Sequence, residues 1–189
     1  MSRLWLIRHG PTHAKGFVGW TDLPADLSDT ARLARMDQYL PDVPVVSSTL
    51  QRAVKTADAI QGRRTRLPHD PDLRETHFGE WETLTWAEIE TRDPHLTRRV
   101  FETPGDTAPP GGESWHQFSA RVHSGIDAIE GDAIVVAHMG VILALLQRAL
   151  GCSAYDAFSH KIDNLSITAI TRDTVENPRW SVQSINQIL

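Results

Sequence analysis

Cysteine is almost absent from this chain of 189 residues: Cys152 is the only one. An intramolecular disulfide is therefore impossible, and a zinc site built on cysteines is excluded. The expectation is a reducing, cytoplasmic compartment. Long hydrophobic runs are lacking as well. The longest, Val141 to Leu146, is far too short to cross a bilayer. No apolar segment follows a basic start at the N-terminus, which argues against a signal peptide and a membrane role. Positive charge is not in surplus either. Lys and Arg number 19 against 24 Asp and Glu, for a formal net charge of -5. Nothing general attracts nucleic-acid phosphates, so any phosphate affinity must come from a few placed arginines. Internal repeats and low-complexity segments are missing. The length and a hydrophobic content of 40% suit one globular domain over residues 1–189.

The most informative stretch that is present comes at the start, Leu4-Trp5-Leu6-Ile7-Arg8-His9-Gly10-Pro11-Thr12. A short apolar run ends abruptly in a cation and an imidazole. By itself this also reads as a strand closing in a polar turn. Further along, Ser28 is a candidate cap for a helix to about Leu40, and Val45-Val46 reads as a second strand entering the turn Ser47-Ser48. A helix is predicted from about Leu50 to Ile60 and a third strand signal lies within residues 67–82. A polar helix spans Thr85 to Arg99 with a break near Pro94, and residues 103–112 form a loop rich in Pro and Gly. Ser114 and Gln117 make a capping box for a helix whose apolar face is Trp115, Phe118, Val122, Ile126 and Ile129. Ala133 to Val136 is the clearest buried strand. Gly140 opens an apolar helix to Leu150, capped by Gly151. Ser166 to Thr171 and Trp180 to Ile185 read as closing strands. Strands alternating with helices predict an α/β domain with a mostly parallel sheet.

In such a sheet the strand ends share one edge, where ligands bind. The first end delivers Arg8 and His9. The second leads to Arg52 at the start of a helix, and the third gives His138 before another helix. Helix N-termini there add N–H groups and partial positive charge. Two arginines and two histidines thus converge on an anion site, and Glu75 is the simplest carboxylate to complete it as a proton donor. A histidine held neutral is a good nucleophile, and guanidinium suits phosphate.

At this point the chain resembles the histidine phosphatase superfamily in its phosphoglycerate-mutase-like branch. Four blocks carry the resemblance in the family's order: Leu6-Ile7-Arg8-His9-Gly10 with Thr12, Ser47-Ser48-Thr49-Leu50-Gln51-Arg52-Ala53 with Thr56-Ala57, Leu73-Arg74-Glu75 through Glu82, and Val135-Val136-Ala137-His138-Met139-Gly140. Gly112-Glu113-Ser114 resembles a further recurring element. The resemblance implies a three-layer sandwich with a mostly parallel central sheet and helices on both faces. It implies that His9 attacks phosphorus, that Arg8, Arg52 and His138 hold the phosphoryl oxygens, and that Glu75 protonates the leaving alcohol. Thr12 is a candidate minor phosphate contact, or else a hydroxyl bonding its own turn. The implied protein is a hydrolase of a small phosphate ester that needs no metal and no cofactor. The compact length resembles α-ribazole phosphatases and broad-range phosphatases. A mutase with the same five residues and a non-enzymatic phosphate-binding protein are the alternatives; oligomeric state is unreadable.

The chain departs from the family pattern in places: Ala25-Asp26 stands between Pro24 and Leu27-Ser28, where the family runs on directly. Ala31 stands where the family has a glycine, and Glu82 is followed by Thr83 in place of a second one. Other prominent residues read as structural. His13 lies four from His9, but Gly10 and Pro11 disfavour the helix that would pair them on a metal. His77 reads as a loop histidine, Trp115 as core, Trp20 and Trp86 as packing near a pocket mouth, Lys15 and Lys161 as solvated charges, and Glu80 and Glu82 as fixing a loop.

Overall fold

A computed structural model describes residues 1–173 and 178–189. Strand β1 (Ser2–Arg8) lies at the centre of a five-stranded sheet with β2 (Val45–Ser47), β3 (Ala133–Ala137), β4 (Ile167–Arg172) and β5 (Trp180–Gln187), in the order β2-β3-β1-β4-β5. The helices are α1 (Thr30–Tyr39), α2 (Gln51–Ile60), α3 (Trp86–Arg92), α4 (Pro94–Glu102), α5 (Trp115–Asp127), α6 (Met139–Leu150) and α7 (Ala154–Phe158). Among the described residues no helix is long and apolar enough to cross a membrane.

Alternation along the strands builds two cores. Leu4, Leu6 and Val135 face one way and meet Phe118, Val122 and Ile126 of α5 and Val141, Ile142 and Leu145 of α6. Trp5, Ile7, Ile134 and Val136 face the other way and meet Leu33 and Met36 of α1 and Ala53, Ala57 and Ile60 of α2. Successive side chains of a strand point to opposite faces, so a central strand buried on both sides is apolar throughout. Helices therefore cover both faces of the sheet, as expected.

The sheet itself is mixed, which corrects the expectation of a mostly parallel one. β3 pairs with β1 and β2 in parallel, but β1 with β4 and β4 with β5 are antiparallel. The cause is connectivity. A parallel pair needs a crossover that returns the chain to the starting edge. After α7 the chain instead reaches the carboxyl end of β1, where Leu165 N–H donates to the Arg8 carbonyl at 2.9 Å and Ile167 pairs with Ile7. β4 must then run backwards, and β5 follows it antiparallel in turn.

The third strand signal in residues 67–82 is also corrected. That segment makes isolated bridges at Arg66 and Asp70 and two 3-10 turns, Pro71–Leu73 and Gly79–Trp81. Pro68 and Pro71 cannot donate to a ladder, which prevents a continuous strand. The first helix is capped one residue later than expected: the Asp29 carboxylate, not Ser28, accepts from Arg32 N–H at 3.0 Å. The Ser114–Gln117 capping box and the left-handed Gly151 cap are where the sequence puts them. Pro94 starts α4 as its first residue, so the polar helix divides there.

Candidate active site

His9 directly follows β1 and continues its pairing, with its N–H donating to the Ala137 carbonyl at 3.0 Å. Two distant side chains hold the next peptide groups. Gly10 N–H donates to Thr56 Oγ1 at 2.9 Å, and Asn164 Nδ2 donates to the His9 carbonyl at 2.8 Å. The ring is fixed as well. His9 Nδ1 lies 2.6 Å from the Gly10 carbonyl, which assigns the proton to Nδ1. Nε2 is then the acceptor, and Arg52 Nε donates to it at 3.2 Å. Burial, reinforced by the Arg52 and Arg8 charges, pushes the His9 pKa down to about 3. The imidazole is neutral across the physiological range, with its lone pair on Nε2.

Arg52 reaches this point from the first turn of α2 and is wholly buried. A buried guanidinium requires acceptors. The loop after β1 supplies them: Nη1 donates to the Thr21 carbonyl at 3.0 Å and Nη2 to the Gly19 carbonyl at 2.6 Å. Arg8, the last residue of β1, donates through Nη1 to the Ile162 carbonyl at 2.6 Å, while its buried Nε has no hydrogen-bond partner among the described residues.

Glu75 follows the 3-10 turn Pro71–Leu73 and meets the start of α6. Its oxygens accept from Gly140 N–H at 3.2 Å and Thr76 N–H at 3.0 Å. A Cβ on Gly140 would come within 2.2 Å of Glu75 Oε1, so glycine is needed there for the carboxyl to dock. Burial raises the Glu75 pKa against the pull of these two N–H groups, Arg52 and Arg8. The desolvation of the charged form wins.

His138 caps α6 and is entirely buried, its ring edge-on to His9 at 5.0 Å between centroids. Its Nε2 lies 2.9 Å from Ser48 Oγ, which already accepts from Leu50 N–H at 3.3 Å. His138 Nδ1, also buried, has no hydrogen-bond partner among the described residues. Burial first, then the charges around it, holds His138 well below the usual imidazole range.

Arg8, His9, Thr12, Arg52 and Glu75 all line one cavity of about 380 Å³. The five sequence-selected residues Arg8, His9, Arg52, Glu75 and His138 thus come together. His138 is distinguished by its burial behind the wall residues' surface, touching His9. His13 stays out: it pairs with Asp26 at 2.8 Å. His77 is half-buried, edge-on to Trp20 at 4.7 Å. Glu82 fixes a loop, accepting from the N–H groups of Gly19, Trp20, Thr21 and Phe78. Burial acts to raise its pKa, but those hydrogen bonds outweigh it and hold the group below the usual range.

Sequence reasoning missed several supports. Arg121 donates to the Asp72, Arg74 and Glu75 carbonyls and pairs with Glu113 at 2.5 Å, clamping the segment that carries Glu75. Glu113 Oε1 also accepts from His77 N–H at 2.8 Å. The Gly112-Glu113-Ser114 element was a visible signal for Glu113. Ser48 lay in the quoted block around Arg52, without a role assigned to it, whereas Arg121 and Asn164 carried none, because their partners are distant in sequence.

Comparison with known proteins agrees with this geometry. Residues 4–188 match the family model of the histidine phosphatase superfamily (branch 1). A protein of Mycobacterium tuberculosis named as bifunctional is 36% identical over 207 residues, covering 98% of this chain and 54% of its own length. The chain thus spans about half the length of that relative. An adenosylcobalamin/alpha-ribazole phosphatase of Escherichia coli is 29% identical, covering 89% of each chain. The solved native structure of a mycobacterial glucosyl-3-phosphoglycerate phosphatase superposes with a TM-score of 0.84 at 27% identity, covering 100% of both chains.

Proposed function

The chain belongs to the histidine phosphatase superfamily, and from that membership we propose that it hydrolyses phosphoric monoesters of small metabolites through a phosphohistidine intermediate. The observation that carries the proposal is His9. Its ring is anchored at Nδ1 and kept neutral by burial, and its Nε2 lone pair, held by Arg52 Nε–H until that guanidinium turns to the phosphate, belongs to a cavity walled by two guanidinium groups and a carboxyl with a raised pKa.

Nε2 attacks phosphorus in line. An N–P bond forms as the bond from phosphorus to the alcohol oxygen breaks, and protonated Glu75 gives that oxygen its proton. The positive charge that develops on the ring is stabilised by the Gly10 carbonyl at Nδ1. Arg8 and Arg52, with His138 behind them, hold the phosphoryl oxygens where charge accumulates. Thr12, on the cavity wall, is a further contact. Water then attacks phosphorus, the Glu75 carboxylate takes its proton, and the N–P bond breaks to release inorganic phosphate and neutral His9. Arg8 and Arg52 supply the charge neutralisation that a metal would otherwise give. The match over residues 4–188 supports reading residues 1–189 as one catalytic domain.

The test is p-nitrophenyl phosphate hydrolysis in excess chelator by the wild-type protein and by His9→Ala. Turnover should survive chelation and fall at least ~10³-fold in the variant, as expected for loss of a nucleophile. Undiminished turnover in His9→Ala would exclude the mechanism.

A further inference from the structure

The cavity changes character away from His9. The walls there are carried by Phe17, Phe78, Phe101, Trp115, Met139 and Phe158. They converge from the loop after β1, the segment after Glu75, α4, and the ends of α5, α6 and α7. The rings fix one another: Phe17 lies 5.1 Å from Phe78 and 5.4 Å from Phe101, and Trp115 meets Phe158 edge-on at 4.7 Å. Trp115 Nε1 is already committed to Gln147 Oε1 at 2.8 Å, so Trp115 offers the cavity its ring and not its donor.

Charge is as telling as shape. Among the described wall residues the only arginines or lysines are Arg8 and Arg52, both beside His9. Glu113 is the one wall carboxylate besides Glu75, and it is engaged by Arg121 and His77 N–H. A carboxylate on the bound alcohol would meet Glu113 and no cation of its own. Sugar hydroxyls would leave water for rings that cannot hydrogen-bond them. A flat apolar group would lose only unfavourable hydration and gain stacking contacts.

Resting on the phosphatase reading above, we infer that the preferred substrates are monoesters whose alcohol carries an aromatic or similarly flat apolar group, in preference to phosphorylated polyols and phosphorylated carboxylic acids. Recognition is divided: polar at phosphorus and apolar beyond it, as in most small-molecule pockets.

The test compares kcat/KM for three esters of primary or secondary alcohols: 2-phenylethyl phosphate, glycerol 1-phosphate and 3-phosphoglycerate. Because all three leaving groups are aliphatic alcohols protonated by the same Glu75, the comparison reports recognition more than leaving-group acidity. The phenylethyl ester should lead both others by at least ~10-fold, a ratio within reach of one well-placed apolar group. Phe101→Ala should narrow that ratio, and Phe158→Leu provides a milder cut in the same wall should the first variant fold poorly. Equal kcat/KM values, or a lead for either polar ester, in a protein whose turnover depends on His9 would overturn this inference and leave the phosphatase reading intact. No His9-dependent turnover of any ester, p-nitrophenyl phosphate included, would overturn the phosphatase reading and the inference with it.

Discussion

His9 and Glu75 must hold opposite habits at one pH: the imidazole without a second proton, the carboxyl with one. Burial drives both, since it disfavours the charged form of either group. The signs predict the pH profile. His9 becomes competent as pH rises through its lowered pKa near 3. Glu75 ceases to be an acid as pH rises through its raised pKa. The kcat/KM profile should therefore have a plateau whose descending limb reports Glu75. Glu75→Gln should lower kcat/KM for an alkyl phosphate by roughly 10²–10⁴-fold. It should also remove that descending limb. An unchanged limb in that variant would show that Glu75 is not the titrating acid. Arg8, His9, Arg52 and His138 were legible in the sequence because each sits beside a local marker, a strand end or a helix start, whereas Glu75 was picked out by the block Leu73 through Glu82 that resembles the family. The direction of their pKa shifts was not, because burial depends on what the rest of the chain stacks above them.

At the scale of elements, caps and breaks were legible because they are chemistry between near neighbours. Ser114 and Gln117 are three residues apart, and Pro94 acts on the turn it begins. The strand signal in residues 67–82 failed because bridging depended on donors that Pro68 and Pro71 lack. The departure at Thr83 now has a physical meaning. Thr83 adopts φ 66°, a left-handed conformation that is costly for a β-branched residue and natural for the glycine of the family pattern. The turn is held there from both sides, with Thr83 N–H donating to the Phe17 carbonyl at 2.7 Å and Phe17 N–H to the Leu84 carbonyl at 2.8 Å. Thr83→Gly should relieve the strain. After the entropy that glycine adds to the unfolded chain is subtracted, a gain of about 0.5–1 kcal/mol is expected. Thermal unfolding would show it as a rise of a few degrees. A lower melting temperature would mean that the threonine side chain contributes more than its backbone costs.

For the molecule as a whole, the site depends on contacts that span nearly the full chain. Asn164 stands before β4, yet its side chain holds the His9 carbonyl, and its own carbonyl accepts from Arg32 Nη2 at 2.9 Å. This one residue ties the loop before β4 to the nucleophile and to α1. Asn164→Ala would leave the His9 carbonyl short of a donor, at about 1 kcal/mol. It would also loosen the ring's placement, for which a roughly 10-fold loss in kcat is expected. Paired measurements of melting temperature and kcat check this. Destabilisation with kcat intact would assign Asn164 to the fold alone.

The sequence by itself determined the strand ends, the capped helices and the identity of the groups that meet at one edge, because backbone periodicity and capping act over a few residues. Tertiary structure alone decided the mixed sheet, the burial that lowers the His9 pKa and raises that of Glu75, the clamp of Arg121 on the acid segment, and the aromatic walls beyond them. Those features arise between residues distant in the chain. Their energies come from desolvation and packing, which exist only once the layers have closed.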